Sequence, residues 1–299
     1  MSKNNKKNTT LKKRNRLVGY SFLLPNILGF LAFIFLPVIA SFLMSFTSWN
    51  GFGKIEFIGL ENYVRLIGDT DFKISLVNTV LFTLISVPVT LFLSILIAVA
   101  INKGMRFVKV FRTAVFLPYV TSTIAVAAVW QLIFNPTAGP VNGFLSNLGI
   151  ENLPGWFASP DWALVSVSIV YIWHSVGYYM IIFLAGLQGI SDDVYEAANI
   201  DGAGPITKFF KITLPMLSPI MFFTSIIAII NSFKVFDFIY ALTGGGPGRS
   251  TQVLVYDIYT TAFKEYEYGY ASAMAYVLFI LILIFALLNY LGQRKSLNA

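Results

Sequence analysis

The stretch that decides the fold is residues 75–101, which read SLVNTVLFTLISVPVTLFLSILIAVAI. No residue in it carries a charge, and as an α-helix it is long enough to cross the roughly 30 Å hydrocarbon core of a bilayer. A lipid-exposed backbone must satisfy its own hydrogen bonds, which a helix does within one segment. The stretch therefore predicts a membrane-spanning helix.

The composition of the whole chain agrees with that prediction. Of the 299 residues, 57% are hydrophobic and only 12% are charged, against about 25% charged residues in a typical soluble domain. The absence of cysteine excludes disulfides, thiolate metal sites and cysteine nucleophiles. The chain is predicted to be a polytopic membrane protein.

Six stretches have the length and apolarity of spans, and together they predict an all-α membrane protein with six transmembrane helices. They are residues 18–46, 75–101, 114–134, 163–187, 213–235 and 269–291. The first follows a basic segment like that of a signal peptide, but it is too long and we expect it to be retained. The predicted organisation is a basic tail at 1–16, a six-span domain at 17–292 and a short tail at 293–299.

The distribution of Lys and Arg predicts the orientation. Most of the 21 basic residues lie in the N-terminal tail, in the loops after spans two and four, and in the C-terminal tail. Basic loops stay in the cytoplasm, so both termini are predicted to be cytoplasmic. The basic tail is interpreted as a topology signal that contacts anionic lipid rather than as a nucleic-acid-binding arm.

The sequence lacks the residues that ion coupling, hydrolytic catalysis and nucleotide binding usually require. The spans contain no Asp or Glu, although ion-coupled transporters usually carry intramembrane carboxylates. Zinc-protease and serine-hydrolase motifs are absent, so we expect no catalytic residue and no metal site. The Gly-rich segment at 244–251 imitates a nucleotide-binding loop, but Arg249 replaces the required Lys, and we interpret it as a turn.

The loop after span four, SDDVYEAANIDGAGP at 191–205, predicts a short helix followed by a tight turn. Ser191 suits the N-cap, Gly202 the left-handed C′ position and Pro205 the first turn of a second helix. Val194, Ala197 and Ala198 are expected to share one face, with Tyr195 and Glu196 on another. Such a pair of helices is either an ordinary surface connection or a docking element for a cytoplasmic partner.

This loop resembles the EAA loop of ABC importer permeases. It has EAA at 196–198, DGA at 201–203 and ITLP at 212–215 in the spacing of that family. Further motifs resemble the carbohydrate branch, which includes maltose, multiple-sugar and glycerol-phosphate permeases: GLENY at 59–63, FDFIY at 236–240, the turn TGGGP at 243–247 and GYASA at 269–273. The resemblance covers about residues 17–292.

The resemblance implies that the chain is one permease subunit of a sugar importer in a bacterial plasma membrane. It implies a second homologous permease, two cytoplasmic ATPase subunits and an extracytoplasmic solute-binding protein. ATP and Mg would be bound by the partner ATPases, with no cofactor in this chain. The coupling loop, at about 191–212, would contact the ATPase through Tyr195, Glu196, Ala197, Ala198, Asp201, Gly202 and Ala203.

Polar side chains within the spans are the candidates for a solute path. We expect the path to include Tyr119, Thr123, Tyr171, His174, Ser175, Tyr178, Asn231 and Ser232. Aromatic faces with hydroxyl and amide groups suit a neutral sugar, but the same residues could instead join helices by hydrogen bonds. Lys234 and Asp237 are expected to form an ion pair. The alternative function is an ion-coupled secondary transporter that works alone.

Overall fold

The computed structural model describes residues 18–102 and 107–297, with side chains up to residue 292. The predicted basic tail at 1–16, and Lys103 and Arg106 in the loop after span two, lie outside the described residues. In chain order the helices are α1 (Val18–Met44), α2 (Glu61–Gly68), α3 (Thr70–Asn102), α4 (Val108–Val120), α5 (Thr123–Ile133), α6 (Pro140–Asn147), α7 (Pro160–Gln188), α8 (Asp192–Ile200), α9 (Pro205–Phe233), α10 (Asp237–Leu242), α11 (Leu254–Phe263) and α12 (Tyr268–Leu297). The predicted all-α fold is confirmed.

Five of these helices, α1, α3, α7, α9 and α12, are each long and apolar enough to cross a membrane. A sixth span is formed only if α4 and α5 are counted together. The loops between α1 and α3, between α5 and α7, and between α9 and α12 hold the shorter helices α2, α6, α10 and α11. The prediction of six spans is therefore confirmed in number when the α4–α5 pair is one span.

The prediction of a continuous third span at 114–134 is wrong, because α4 and α5 meet at an angle of 99°. Thr121 and Ser122 between them have extended backbone angles. At the end of α4 the Thr121 hydroxyl donates to the Leu117 carbonyl, while the Thr121 amide bonds to the Pro118 carbonyl instead, so the α-helical pattern stops here. The apolar composition does not reveal this break, since the residues before and after it are similarly apolar.

The chain divides into two compact units. Among the described residues, 18–65 and 261–276 form one unit, and 66–102, 107–260 and 277–297 form the other. The core of the larger unit forms around α7, which packs most extensively against α3 and also against α4 and α9. Its fully buried side chains include Phe82, Met180 and Phe183.

The helices α4 and α7 approach each other closely at Gly177. A Cβ at this position would lie 2.1 Å from the Val115 carbonyl oxygen, and a backbone atom cannot move away as the end of a flexible side chain can. Small residues allow membrane helices to pack at such short separations. Gly177 therefore sets how closely α4, and the break that follows it, lie against α7.

In the smaller unit, Asn62 at the beginning of α2 connects that helix to the segment directly after α1. Its buried amide donates to the carbonyls of Ser45 and Thr47 at 2.9 Å each. Arg65 pairs with Glu267 at 2.6 Å, and its guanidinium lies 3.9 Å from the ring centre of Tyr270. The motifs GLENY and GYASA, which are far apart in the sequence, lie in the same unit, where Glu61, Asn62 and Tyr270 line one cavity.

A polar network fixes the Gly-rich loop of the larger unit to the beginning of α3. Asn78 donates to the carbonyls of Arg249 and Gln252, and Thr79 accepts from the Leu254 amide. The buried Asp257 carboxylate accepts from Ser75 and Gln252 at 2.9 and 2.8 Å. Burial raises the pKa of the Asp257 carboxyl, while these two hydrogen bonds act to lower the pKa.

We predict that Gly177→Ala lowers the stability of the protein, because the added methyl would force α4 and α7 apart. Overpacking of this kind costs about 1–3 kcal/mol. The matched control is Gly143→Ala on α6, where a Cβ meets no atom within 4 Å. The measurement is the apparent melting temperature of detergent-purified protein by size-exclusion chromatography. Equal melting temperatures for the two variants would contradict the close packing.

Candidate functional site

The loop between α7 and α9 has the local structure that its sequence predicts. The Ser191 hydroxyl accepts from the Asp193 amide, so it caps α8, and Asp192 and Asp193 occupy the first turn. Gly202 has a φ of +74°, and the Ala203 amide reaches back to the Ala198 carbonyl at 2.9 Å. This is the hydrogen bond of a Schellman cap, which residues other than glycine adopt with strain. Pro205 begins the next helix.

The predicted distribution of side chains around α8 is wrong for two residues. Tyr195 points inward, together with Val194 and the buried Ala198, while Ala197 is exposed. The reason is helical geometry: positions 194, 195 and 198 form one stripe at i, i+1 and i+4, and position 197 lies to its side. The Tyr195 hydroxyl lies 3.0 Å from the Thr213 hydroxyl.

The exposed surface of the loop is formed by the remaining predicted coupling residues. Glu196, Ala197, Asp201 and Gly202 are exposed, and Ala203 is half-buried. Ile200 at the end of α8 is 87% exposed. The surface of the loop therefore presents an apolar side chain beside acidic groups.

A second candidate site is a cavity of about 220 Å³ in the larger unit, beside the break between α4 and α5. Residues from α4, α5, α7 and the α9–α10 junction line it. They are Tyr119, Thr123, Tyr171, His174, Ser175, Tyr179, Asn231, Lys234, Val235, Phe236, Asp237 and Phe238. Irregular backbone at membrane depth is tolerated where it lines a cavity of this kind.

The cavity brings together most of the residues predicted for the solute path. Two are placed elsewhere. Tyr178 is not among the lining residues, and its ring stacks on that of Tyr119 with ring centres 4.6 Å apart. Ser232 is fully buried and donates to Thr83 on α3 at 3.0 Å, so it joins two helices. Both residues therefore make contacts between helices, as the alternative interpretation of helix–helix packing expects.

The predicted ion pair between Lys234 and Asp237 is wrong: both side chains line the cavity, and neither takes part in the ion pairs found within 18–102 and 107–292. The two residues are not on one helix. Lys234 ends α9 and Asp237 begins α10, so the i, i+3 geometry of a continuous helix does not apply.

Sequence reasoning also missed the aromatic part of the cavity that α10 supplies. The Phe238 ring packs edge-on against His174 and Tyr171, with ring centres 5.0 and 5.9 Å apart. The motif FDFIY indicates the family, but its sequence does not show that it lies beside the polar residues of α7. Alternating aromatic and acidic residues immediately after a span were the signal that could have placed it here.

The cavity offers hydrogen-bonding groups in an aromatic frame. Asn231 donates to the Tyr179 hydroxyl at 3.3 Å and keeps an exposed amide. His174 is 8% exposed, and its Nε2 has no hydrogen-bond partner among the described side chains. One carboxylate and one ammonium group complete the lining. Hydrogen-bonding groups beside aromatic rings are chemically suited to a hydroxyl-rich molecule.

Comparison with known proteins identifies the family. The model of the family "Binding-protein-dependent transport system inner membrane component" matches residues 90–297. The chain belongs to this family. It is also 36% identical to the trehalose/maltose transport system permease protein of Thermococcus litoralis, over 93% of this chain and 94% of the relative. The lactose transport system permease protein of Rhizobium radiobacter is 34% identical, with 96% and 97% covered.

A solved structure extends the likeness to three dimensions. The bacterial alginate ABC transporter, crystallised with a periplasmic protein carrying an alginate pentasaccharide, has a chain that superposes with a TM-score of 0.83. The two chains are 26% identical, and 95% of this permease and 96% of that chain are covered. The resemblance inferred from the EAA loop is thus confirmed, and this permease is a multi-pass membrane protein.

Proposed function

We propose that this permease forms part of the membrane path of an ATP-driven importer for a sugar or oligosaccharide. The cavity beside the α4–α5 break supports this most directly, because it places Asn231, Ser175 and His174 among aromatic rings. The relatives named for trehalose, maltose and lactose, and the alginate transporter, support a carbohydrate solute. Solute would cross by alternating access of the cavity to the two sides of the membrane.

We propose the orientation that the basic residues predict, with both termini and the α7–α9 loop in the cytoplasm. A second, homologous permease would complete the path, and two separate ATPase subunits would bind ATP and Mg and hydrolyse the nucleotide. An extracytoplasmic binding protein would deliver the solute, in keeping with the family to which the chain belongs. That membership disfavours the alternative of an ion-coupled transporter working alone.

We predict that Asn231→Ala weakens solute binding, because the exposed amide would lose its hydrogen bonds to sugar hydroxyls. Losing such a bond in a polar site costs about 1–2 kcal/mol, or roughly a tenfold rise in the KM for uptake. The first probes are radiolabelled trehalose and maltose with the assembled transporter in vesicles. Asn147→Ala at the end of α6 is the control, and an unchanged KM for Asn231→Ala would remove the residue from the path.

The α8 segment is proposed as the docking surface for the ATPase. Glu196 is exposed and makes no hydrogen bond or ion pair in the part of the chain described, so its charge contributes little to folding. In a desolvated partner groove the same carboxylate could pair with a basic group, and such pairs contribute strongly to docking. The Gly202 turn holds this surface in a defined shape through the Ala203–Ala198 bond.

We therefore predict that Glu196→Lys leaves the permease folded but reduces co-purification of the ATPase by roughly tenfold or more, the size expected when a buried ion pair becomes a like-charge contact. Glu151→Lys, which reverses the charge of another exposed Glu in the loop between α5 and α7, is the matched control. The measurement is the ATPase content of the purified complex and its hydrolysis rate. Normal content with Glu196→Lys would exclude Glu196 from the docking surface.

A further inference from the structure

Two side-chain contacts join α8 to the beginning of α9. The hydroxyls of Tyr195 and Thr213 are 3.0 Å apart, and Lys208 Nζ donates to Asn199 Oδ1. Tyr195 and Asn199 are four residues apart, so they project from the same side of α8. Thr213 is only 5% exposed, which means that its hydroxyl depends on a protein partner for its hydrogen bond.

These contacts lie at the two ends of an unusual helical turn. Residues Phe209–Thr213 form a π-helical turn near the beginning of α9. Lys208 stands immediately before this turn, and Thr213 is its last residue. Turns of this type interrupt the regular bonding of an α-helix and occur often at functional positions. A displacement of α8 would therefore act on both ends of the least regular part of α9.

A cavity interrupts the direct packing of α8 against the spans α3 and α7. A cavity of about 260 Å³ separates the inner side of the loop from α3 and α7. Its lining is Val99, Asn102, Leu187, Tyr195, Pro205, Lys208, Phe209 and Thr213. Dispersion contacts fall off steeply once side chains separate, so packing across this gap is weak. Besides the short turn at 201–204, the two polar side-chain contacts described above connect α8 to α9.

The same helix carries the proposed solute site. Asn231 lies 18 residues after Thr213 on α9, which corresponds to about 27 Å along a helix axis. A largely intact helix passes a displacement at one end to the other, as the rigid elements of a coupled network do. A displacement of α8 would therefore reach the cavity beside the α4–α5 break if α8 moves the beginning of α9 with it.

We propose that the hydrogen bond between Tyr195 and Thr213 transmits movement of α8 to α9, so that the two are positioning residues for coupling. This inference rests on the proposed docking of an ATPase on α8. It assigns Tyr195 a role different from docking, since its side chain points away from the exposed surface. Docking and transmission are then separable: Glu196 serves the first and the Tyr195–Thr213 pair serves the second.

The variants distinguish a hydrogen bond from simple packing. Tyr195→Phe removes one hydroxyl and keeps the ring. Thr213→Val keeps the shape of the side chain but loses the hydroxyl, whereas Thr213→Ser keeps the hydroxyl and loses the methyl. A packing role would make Thr213→Ser the more harmful change. A hydrogen-bonding role would make Thr213→Val the more harmful one.

The readout is the conformation of the cavity in the assembled transporter with its ATPase and binding protein. Asn231→Cys places a single thiol in the cavity, because this chain has no other cysteine. The rate at which N-ethylmaleimide modifies that thiol is measured with and without ATP and vanadate. We expect Tyr195→Phe and Thr213→Val each to reduce the nucleotide-dependent change in rate about fivefold, the size of one lost hydrogen bond. ATPase content should stay normal, Thr213→Ser should behave as the unsubstituted background, and the double variant should be no worse than either single one.

The inference is overturned if Thr213→Val retains the full nucleotide-dependent change, or if the effects of the two hydroxyl deletions add. Tyr20→Phe, an exposed tyrosine on α1, controls for the substitution itself. If the background protein binds no ATPase, or ATP and vanadate leave its modification rate unchanged, the proposed coupling function fails and this inference fails with it. A loss of ATPase content in Tyr195→Phe would assign Tyr195 to docking instead.

Discussion

The packing of α7 against its neighbours is the constraint on which the larger unit depends. This helix is the most deeply buried of the candidate spans, and it contacts α3, α4 and α9. At Gly177 its backbone approaches α4 so closely that a side chain cannot fit. Since α4 ends at the break before α5, this one approach also fixes where the irregular backbone lies and where the cavity can form.

The helix α9 connects the two candidate sites. The cavity near one end of α9 and the loop at its other end share no side chain, yet both depend on how α9 is held. The cavity gathers polar groups where backbone regularity is already lost, which is where a membrane protein tolerates them. The loop gathers exposed acidic and apolar groups outside the spans. This separation of a polar cavity from an exposed loop is what the proposed function requires, since solute and ATPase would bind at different places.

Much of this was predictable from the sequence, and the failures have physical causes. Apolar length predicted the spans, and the residue types at Ser191, Gly202 and Pro205 predicted the loop geometry, because caps and turns depend on local backbone preferences. The break at 121–122 was missed because it changes no composition. The contacts of Ser232 with Thr83 and of Tyr178 with Tyr119 were not predictable, because one sequence gives the period of a helix face but not which helix packs against it. Lys234 and Asp237 were paired on the assumption that a helix continues, which the structure does not show.

The most direct test of the account uses the exposed end of α8. The native chain has no cysteine, so Ile200→Cys introduces a single thiol at a side chain that is 87% exposed. With a short thiol-to-amine cross-linker in membranes containing the assembled transporter, we expect one product that joins this permease to its ATPase. Ser146→Cys, in the loop between α5 and α7, should give none. The account would be contradicted if the Ile200→Cys variant formed no cross-link to an ATPase and an impermeant thiol reagent modified it from outside intact cells.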